Sequence, residues 1–259
     1  KINKVNKDSS FIYIKKKFTD IEQELINNDD KPNLLAFYKA QSDFFYYLND
    51  DQESVNSVNK GFAILKNYKD NRNLGLLYES LSLIYNVNDN KEQCYQSRLK
   101  AANLLNKYGK PDEKVDCNIN LGMYYAHYKE WENALKTFLI AKKNIDNATQ
   151  NLSKKTYINL FISECLLNLN QIDLAKTYFQ NVKNNLNKDS FDNNFYSRYY
   201  RIETLYHYKT GNYIQARESS KKEYKYINLR FNELNFNTLE NLKSKLKLAK
   251  IENENNRIK

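Results

Sequence analysis

The chain has 259 residues, of which 41% are hydrophobic and 28% are charged, and its formal net charge is +10. Only 5 Gly and 2 Pro are present to break secondary structure, whereas 22 Tyr and 13 Phe supply material for a core. This composition argues against a disordered chain and favours helices joined by short loops. The three Cys are widely spaced and form no CxxC pair, which argues against a disulfide framework or a zinc site.

The hydrophobic pattern predicts an N-terminal helix over about 9–27 and a last helix from about 234 onward. Pro32 and Pro111 lie at predicted helix starts, where a missing amide costs little. Between the terminal helices the pattern predicts five helix pairs, at about 33–69, 72–108, 112–145, 152–187 and 191–232. We therefore predict a helical solenoid over residues 1–232 and a capping, coiled-coil-like helix over residues 233–259.

The clearest repeat unit is LGMYYAHYKEWENALKTFLIA, which runs from Leu121 to Ala141. Gly122 and Ala134 are small enough for two helices to approach closely, and Tyr125 and Phe138 fill the groove between them. The small residue at position 134 recurs at intervals of 40 or 41 residues, which indicates a repeat architecture. Its equivalents are Ser54, Cys94, Ala134, Ala175 and Ala216.

These leucine-glycine, tyrosine, alanine and phenylalanine positions resemble the signature of tetratricopeptide repeat (TPR) proteins. The resemblance implies an all-α fold, a right-handed α-solenoid of about five TPR-like helix pairs with an extra N-terminal and an extra C-terminal helix. The period of about 40 exceeds the ordinary 34 residues. It resembles the long-period arrays in sensor regions of bacterial signalling proteins, such as histidine kinases and transcriptional regulators.

In such a solenoid the first helices of successive pairs line a concave groove. The positional pattern of TPR proteins implies a partner-binding surface of tyrosines and mixed charges on these helices. The predicted groove residues are Lys39, Tyr46, Tyr47, Glu79, Asn86, Asp116, Asn120, His127, Tyr157, Glu164, Arg198, Arg201 and Tyr208.

Two parts of this groove carry a more specific expectation. Arg198 and Arg201, near Lys209, are suited to a carboxylate or an acidic motif. Chaperone-binding TPR proteins use a clamp of Lys and Asn in their first two repeats. Lys39 matches that clamp, but Asp43 stands where Asn is required, so clamp function is not predicted.

Catalytic chemistry is not predicted. His127 and His207 lie in different repeats without a third group that converges on either, and His207 occupies an aromatic position of the repeat, as a packed histidine would. All five Gly are isolated, so a phosphate-binding loop is not expected. The Cys positions fit buried, inert thiols. We therefore predict neither an enzyme nor a cofactor or metal site.

The predicted partner is a protein or peptide, bound by a sensory or scaffold region of a bacterial signalling or transcription-regulating protein. One alternative is a cytoplasmic peptide-pheromone receptor of the quorum-sensing type, although residues 1–32 are too short for the N-terminal effector of those regulators. Another is nucleic-acid binding through the basic segments 1–18, 196–230 and 238–259. No recognised nucleic-acid motif accompanies these segments, so this alternative is not favoured.

Two expectations concern assembly and location. The C-terminal helix carries Leu239, Leu242, Leu246 and Ala249 at coiled-coil spacing, so a homodimer would form there. No apolar run is long enough to cross a bilayer, so membrane attachment is expected only through segments outside this chain. The sequence leaves the compartment open between the cytoplasm and the extracytoplasmic part of a membrane protein.

Overall fold

The computed structural model describes residues 2–148, 151–186 and 191–258, with side chains placed for 14–146, 151–186, 191–236, 238, 239 and 243. Every regular element in these residues is an α-helix. The helices are α1 (Ile2–Asn27), α2 (Lys31–Tyr47), α3 (Asp51–Leu65), α4 (Asn71–Val87), α5 (Lys91–Tyr108), α6 (Pro111–His127), α7 (Trp131–Ala148), α8 (Leu152–Asn168), α9 (Ile172–Asn185), α10 (Asn193–Lys209) and α11 (Tyr213–Ile258).

The helices pack as consecutive pairs, as predicted, and the chain forms two compact units. Unit 1 comprises Lys1–Cys94 together with Glu233–Lys259, and unit 2 comprises Tyr95–Asn232. Within unit 1, α2 packs against α3 and α4, around a core of Leu35, Val58 and Leu77. Within unit 2, α6 packs on α7, α7 on α8 and α8 on α9 and α10.

The turn between the two helices of each pair is built the same way every time. One residue adopts a left-handed conformation, and the residue after it donates its N–H to a carbonyl five positions earlier, which closes the end of the first helix. Asp50, for example, donates to Phe45 at 2.9 Å, and Glu130 donates to Tyr125 at 2.9 Å. The left-handed residues, with φ from 51° to 76°, are Asn49, Asp89, Lys129, Asn170 and Gly211.

The small residues predicted at the helix crossings are buried in all five pairs, with exposed fractions of 0% to 7%. Gly122 shows why this position must stay small. A Cβ built on Gly122 would lie 2.6 Å from the ring of Phe138. That ring stacks on Phe161 with a centroid distance of 4.9 Å, so it has nowhere to move. These contacts belong to the aromatic core of unit 2.

The last helix departs from the expectation. The sequence placed a helix boundary near 233, but α11 runs without a break from Tyr213 to Ile258, so that boundary was wrong. No Gly or Pro lies in this range, so neither of the two residue types least favourable in a helix interior interrupts α11. Leu239 is 56% exposed. The other predicted stripe residues, Leu242, Leu246 and Ala249, lie outside the described side chains, so the homodimer stays a prediction.

Among the helices that the structure describes, none is both long and apolar enough to cross a membrane.

The close approach at Gly122 is tested by Gly122→Ala. Alanine is favoured over glycine inside a helix by about 1 kcal/mol. The added methyl group nevertheless meets the fixed Phe138 ring, so we expect a net loss of about 1–3 kcal/mol in the free energy of unfolding, measured by urea denaturation. The matched control is Gly61→Ala, whose methyl meets only the flexible end of Leu77 and should cost less. Equal stability of the two variants would contradict the packing argument.

Candidate functional site

Glu164 of α8 holds two arginines of α10. The Glu164 carboxylate accepts a hydrogen bond from Arg198 Nη1 at 3.1 Å and another from Arg201 Nη2. The Glu164 side chain is only 9% exposed, so this is a buried acid. The Arg198 guanidinium lies over the Phe161 ring, 4.8 Å from its centroid. Burial lowers the pKa of Arg198, and the charge of Glu164 opposes that shift.

The charges of this cluster do not cancel. Two guanidinium groups share a single carboxylate, so the cluster of Glu164, Arg198 and Arg201 carries a net charge of +1. The Arg198 side chain is 22% exposed, whereas that of Arg201 is 50% exposed. The excess positive charge is therefore presented to solvent by Arg201.

Two tyrosines and a lysine lie where α10 ends and α11 begins. Tyr208 is 64% exposed and Tyr213 is 65% exposed, and their rings meet edge to face with centroids 5.7 Å apart. Lys209 Nζ lies 3.4 Å from Asn170 Oδ1. We call Arg201, Tyr208, Lys209 and Tyr213 the α10 patch. Tyr213 is not among the predicted groove residues because it begins the second helix of its pair, outside the positions that the TPR pattern assigns to a groove.

The α10 patch has no acid on its own helix to neutralise it. Glu203 is the one carboxylate within α10, and it is buried at 9% exposure. It accepts hydrogen bonds from Tyr199 at 3.0 Å and Ser219 at 2.9 Å, and it pairs with Lys183 at 3.1 Å. Burial raises the pKa of Glu203, but the contacts with Lys183 and Ser219 outweigh it and leave the pKa lowered. Glu203 therefore serves the core as a charged acceptor.

A second polar cluster lies on α2 and α4 of unit 1. Lys39 pairs with Asp43, which also accepts a hydrogen bond from Ser80 at 2.9 Å. Burial lowers the pKa of Lys39, but the bond to Asp43 and the charges of Asp43 and Glu79 outweigh it and leave the pKa raised. One lysine faces two carboxylates here, so this cluster has a charge of −1. Tyr47, beside it, is 78% exposed.

The remaining predicted groove residues are mostly used within the fold. Asp116 of α6 pairs with Lys154 of α8 at 2.7 Å. The Tyr157 hydroxyl donates a hydrogen bond to Asp192 at 2.8 Å. Burial and, to a smaller extent, this hydrogen bond raise the pKa of Tyr157. The backbone carbonyl of Asn120 accepts a hydrogen bond from the buried Arg98.

The predicted groove residues fall into three groups by exposure. Leu160 and Leu167 of α8 are fully buried, so these two positions of α8 add nothing to an exposed groove. Glu164 is buried, and the exposed residues are Tyr47, Asn86, His127, Arg201 and Tyr208. The partly buried residues are Lys39, Tyr46, Glu79, Asp116, Asn120, Tyr157 and Arg198.

Groups suited to metal binding do not converge in the described residues. No set of three or more His, Cys, Asp or Glu there could hold a metal ion. All three Cys are buried. Burial and the charge of Glu164 raise the pKa of Cys165 to about 12, which keeps the thiol protonated and unreactive. Burial lowers the pKa of His207, which is half-buried.

Comparisons with known proteins bear on the fold. No protein-family model matches the sequence, and no curated protein matches it. The structure is similar to BtubC from P. vanneervenii, with TM-score 0.67, 12% identity, and coverage of 86% of this chain and 92% of that one. It is also similar to YrrB, described as a TPR protein with an unusual peptide-binding site, with TM-score 0.53, 17% identity, and coverage of 81% and 91%.

A third similar structure is a Signal Transduction ATPase with Numerous Domains from Pyrococcus horikoshii, which has a TPR sensor. Its TM-score is 0.50 at 14% identity, and the match covers 73% of this chain and 26% of that one. These likenesses, together with the paired helices, confirm the predicted fold class: the chain is an all-α solenoid of the TPR type.

The role of Glu164 in the fold is tested by Glu164→Gln. The substitution keeps the side chain's size but removes the negative charge between two guanidinium groups, one of which is largely buried. We expect the free energy of unfolding to fall by about 2–4 kcal/mol in urea denaturation. The matched control is Asp146→Asn, because the Asp146 carboxylate also contacts two cations, Lys142 at 2.6 Å and Lys155 at 3.9 Å, but is 46% exposed. Its effect should stay within about 0.5 kcal/mol. Similar losses in both variants would show that Glu164 has no special structural role.

Proposed function

We propose that this chain is a protein- or peptide-binding module and that the α10 patch is part of its binding surface. The observation that carries the proposal is the exposure of Arg201 and Tyr208 on α10, whose own carboxylate is buried and engaged elsewhere. Both residues were also predicted as groove residues from the repeat pattern. A positioned cation beside exposed aromatic rings suits recognition of another chain.

The chemistry of these residues favours binding. Tyrosine supplies a rigid apolar surface with a polar tip, and arginine supplies several hydrogen-bond donors in a fixed plane, so both are common at the energetic centres of interfaces. Arg201 is held in place by the buried Glu164, so less side-chain freedom is lost when a partner binds. The printed description of YrrB as a TPR protein with a peptide-binding site supports the same class of ligand.

The binding proposal is tested by selecting peptides from a random display library on the purified chain. We expect selective binders whose affinity falls about tenfold or more in the Arg201→Ala/Tyr208→Ala variant, measured by fluorescence polarisation. The control variant is Arg217→Ala/Tyr224→Ala, which removes the same two residue types from exposed positions of α11. Failure to select any peptide, or equal losses in the two variants, would contradict the proposal.

We further infer that the module is the sensory or scaffold region of a bacterial signalling or transcription-regulating protein. The long repeat period supports this, as does the likeness to a signalling protein that has a TPR sensor. The gene and its neighbours provide the test. A kinase, membrane-spanning or DNA-binding domain encoded in the same or an adjacent reading frame is the expected result, and the lack of any such domain would contradict this role.

A further inference from the structure

We propose that the α10 patch recognises an acidic peptide segment in which a carboxylate binds Arg201 and a large apolar side chain packs against Tyr208 and Tyr213. The inference rests on the proposed binding function and narrows it to one class of ligand. It also assigns Glu164 a second role, as the positioning residue that orients Arg201.

The cluster of Arg198, Arg201 and Glu164 has an unbalanced positive charge. Two guanidinium groups share one carboxylate, and the second of them is half exposed. Arg201 has five N–H donors, of which the bond to Glu164 uses one. A second carboxylate would balance the charge and occupy the open donors in the bidentate geometry that arginine favours.

Among the side chains that the structure describes, no carboxylate other than Glu164 pairs with Arg201 to supply this balance. Glu203 is committed to Lys183, Tyr199 and Ser219. Glu223 of α11 lies near Arg201, but the two residues form no ion pair. Burial raises the pKa of Glu223 more than the charge of Arg201 lowers it. The described side chains therefore leave the outer side of Arg201 available to a ligand.

Arg201 is held in one place by Glu164. Glu164 is buried, and its other oxygen is bound by Arg198, which is itself packed over Phe161. The carboxylate therefore cannot turn away from Arg201 without leaving a largely buried charge unpaired. Because Arg201 is oriented before the ligand arrives, a carboxylate meets its donors at a small entropic cost.

The spacing of the patch defines the ligand further. Arg201 and Tyr208 are seven residues apart on one helix, which is a separation of about 10 Å along its axis. A peptide in the polyproline II conformation covers about 9 Å in three residues and, with three residues per turn, places side chains three positions apart on the same face. The preferred ligand therefore has Asp or Glu three positions from a large apolar residue, with the apolar side chain against the Tyr208–Tyr213 pair, whose rings are 5.7 Å apart.

A nucleic acid fits this patch less well than a peptide. Backbone recognition of nucleic acid uses several cations along a groove, because each phosphate carries a charge. Here Arg198 is committed to Glu164, so the α10 patch itself offers only Arg201 and Lys209, the second of which contacts Asn170. One fixed cation next to an aromatic pair matches a single carboxylate followed by an apolar side chain.

The test uses peptides that differ only in charge or in spacing. Members of the first pair carry Glu or Gln three residues before Phe, with both termini blocked, and a third peptide places Glu directly beside Phe. We expect the full chain to bind the spaced Glu peptide about tenfold more tightly than either of the others. Arg201→Gln should remove this preference while leaving the affinity for the Gln peptide unchanged.

A charge exchange keeps the test independent of folding defects. Arg201→Glu should prefer a peptide with Lys in place of Glu, which an unfolded variant would not do. Selection of peptides without a carboxylate preference would overturn this inference and leave the proposed function standing, whereas failure to select any peptide would contradict the proposed function itself. Tighter binding of a single-stranded DNA oligonucleotide than of the Glu peptide, lost in Arg201→Gln, would also overturn the inference.

Discussion

The close crossing of the two helices in each pair is the constraint on which the rest of the structure depends. A side chain larger than Ala, Ser or Cys has no room at that crossing, and the aromatic rings around it, such as Phe138 beside Gly122, are held by stacking. The left-handed turn residues recur at the same steps of 40 and 41 as the small residues. Even Lys129, a residue type that seldom adopts this conformation, obeys the period. Crossing and turn together fix the register of each first helix.

That register decides where polar chemistry is exposed. One position of the first helix is occupied in successive repeats by Lys39, Glu79, Ile119, Leu160 and Arg201. The repeats with an apolar residue at this position use it for packing, and Leu160 is fully buried. The repeats with a charged residue leave it at least partly exposed. At this position, exposed charge therefore occurs only in the first two repeats and the last, within the net negative cluster on α2 and α4 and the net positive cluster on α10.

The sequence predicted the elements of the fold because each of them leaves a local, periodic trace. The small residues, from Ser54 to Ala216, could be identified from their spacing alone, without knowing which residues they contact. Contacts between repeats leave no such trace. Glu164 reads as an exposed groove acid until Arg198 and Arg201, 34 and 37 residues later, are placed beside it. The unbroken α11 was not predicted because the apolar stripe of Leu239, Leu242 and Leu246 was assigned to a separate helix, although no Gly or Pro separates it from the preceding residues of α11.

Burial of Glu164 connects stability with recognition. A buried ion pair contributes little to stability compared with an apolar contact of the same size, because both charges must be desolvated. A buried ion pair does, however, fix the orientation of both side chains, because separating them leaves a buried charge without a partner. In this protein the buried acid fixes two cations where apolar residues would have served the packing equally well, and only one of the cations, Arg198, is used in the core. The other, Arg201, gains a fixed orientation at the surface. A surface arginine whose orientation is fixed by a buried acid selects carboxylates over other ligand groups by geometry as well as by charge. A selective peptide-binding module requires this property.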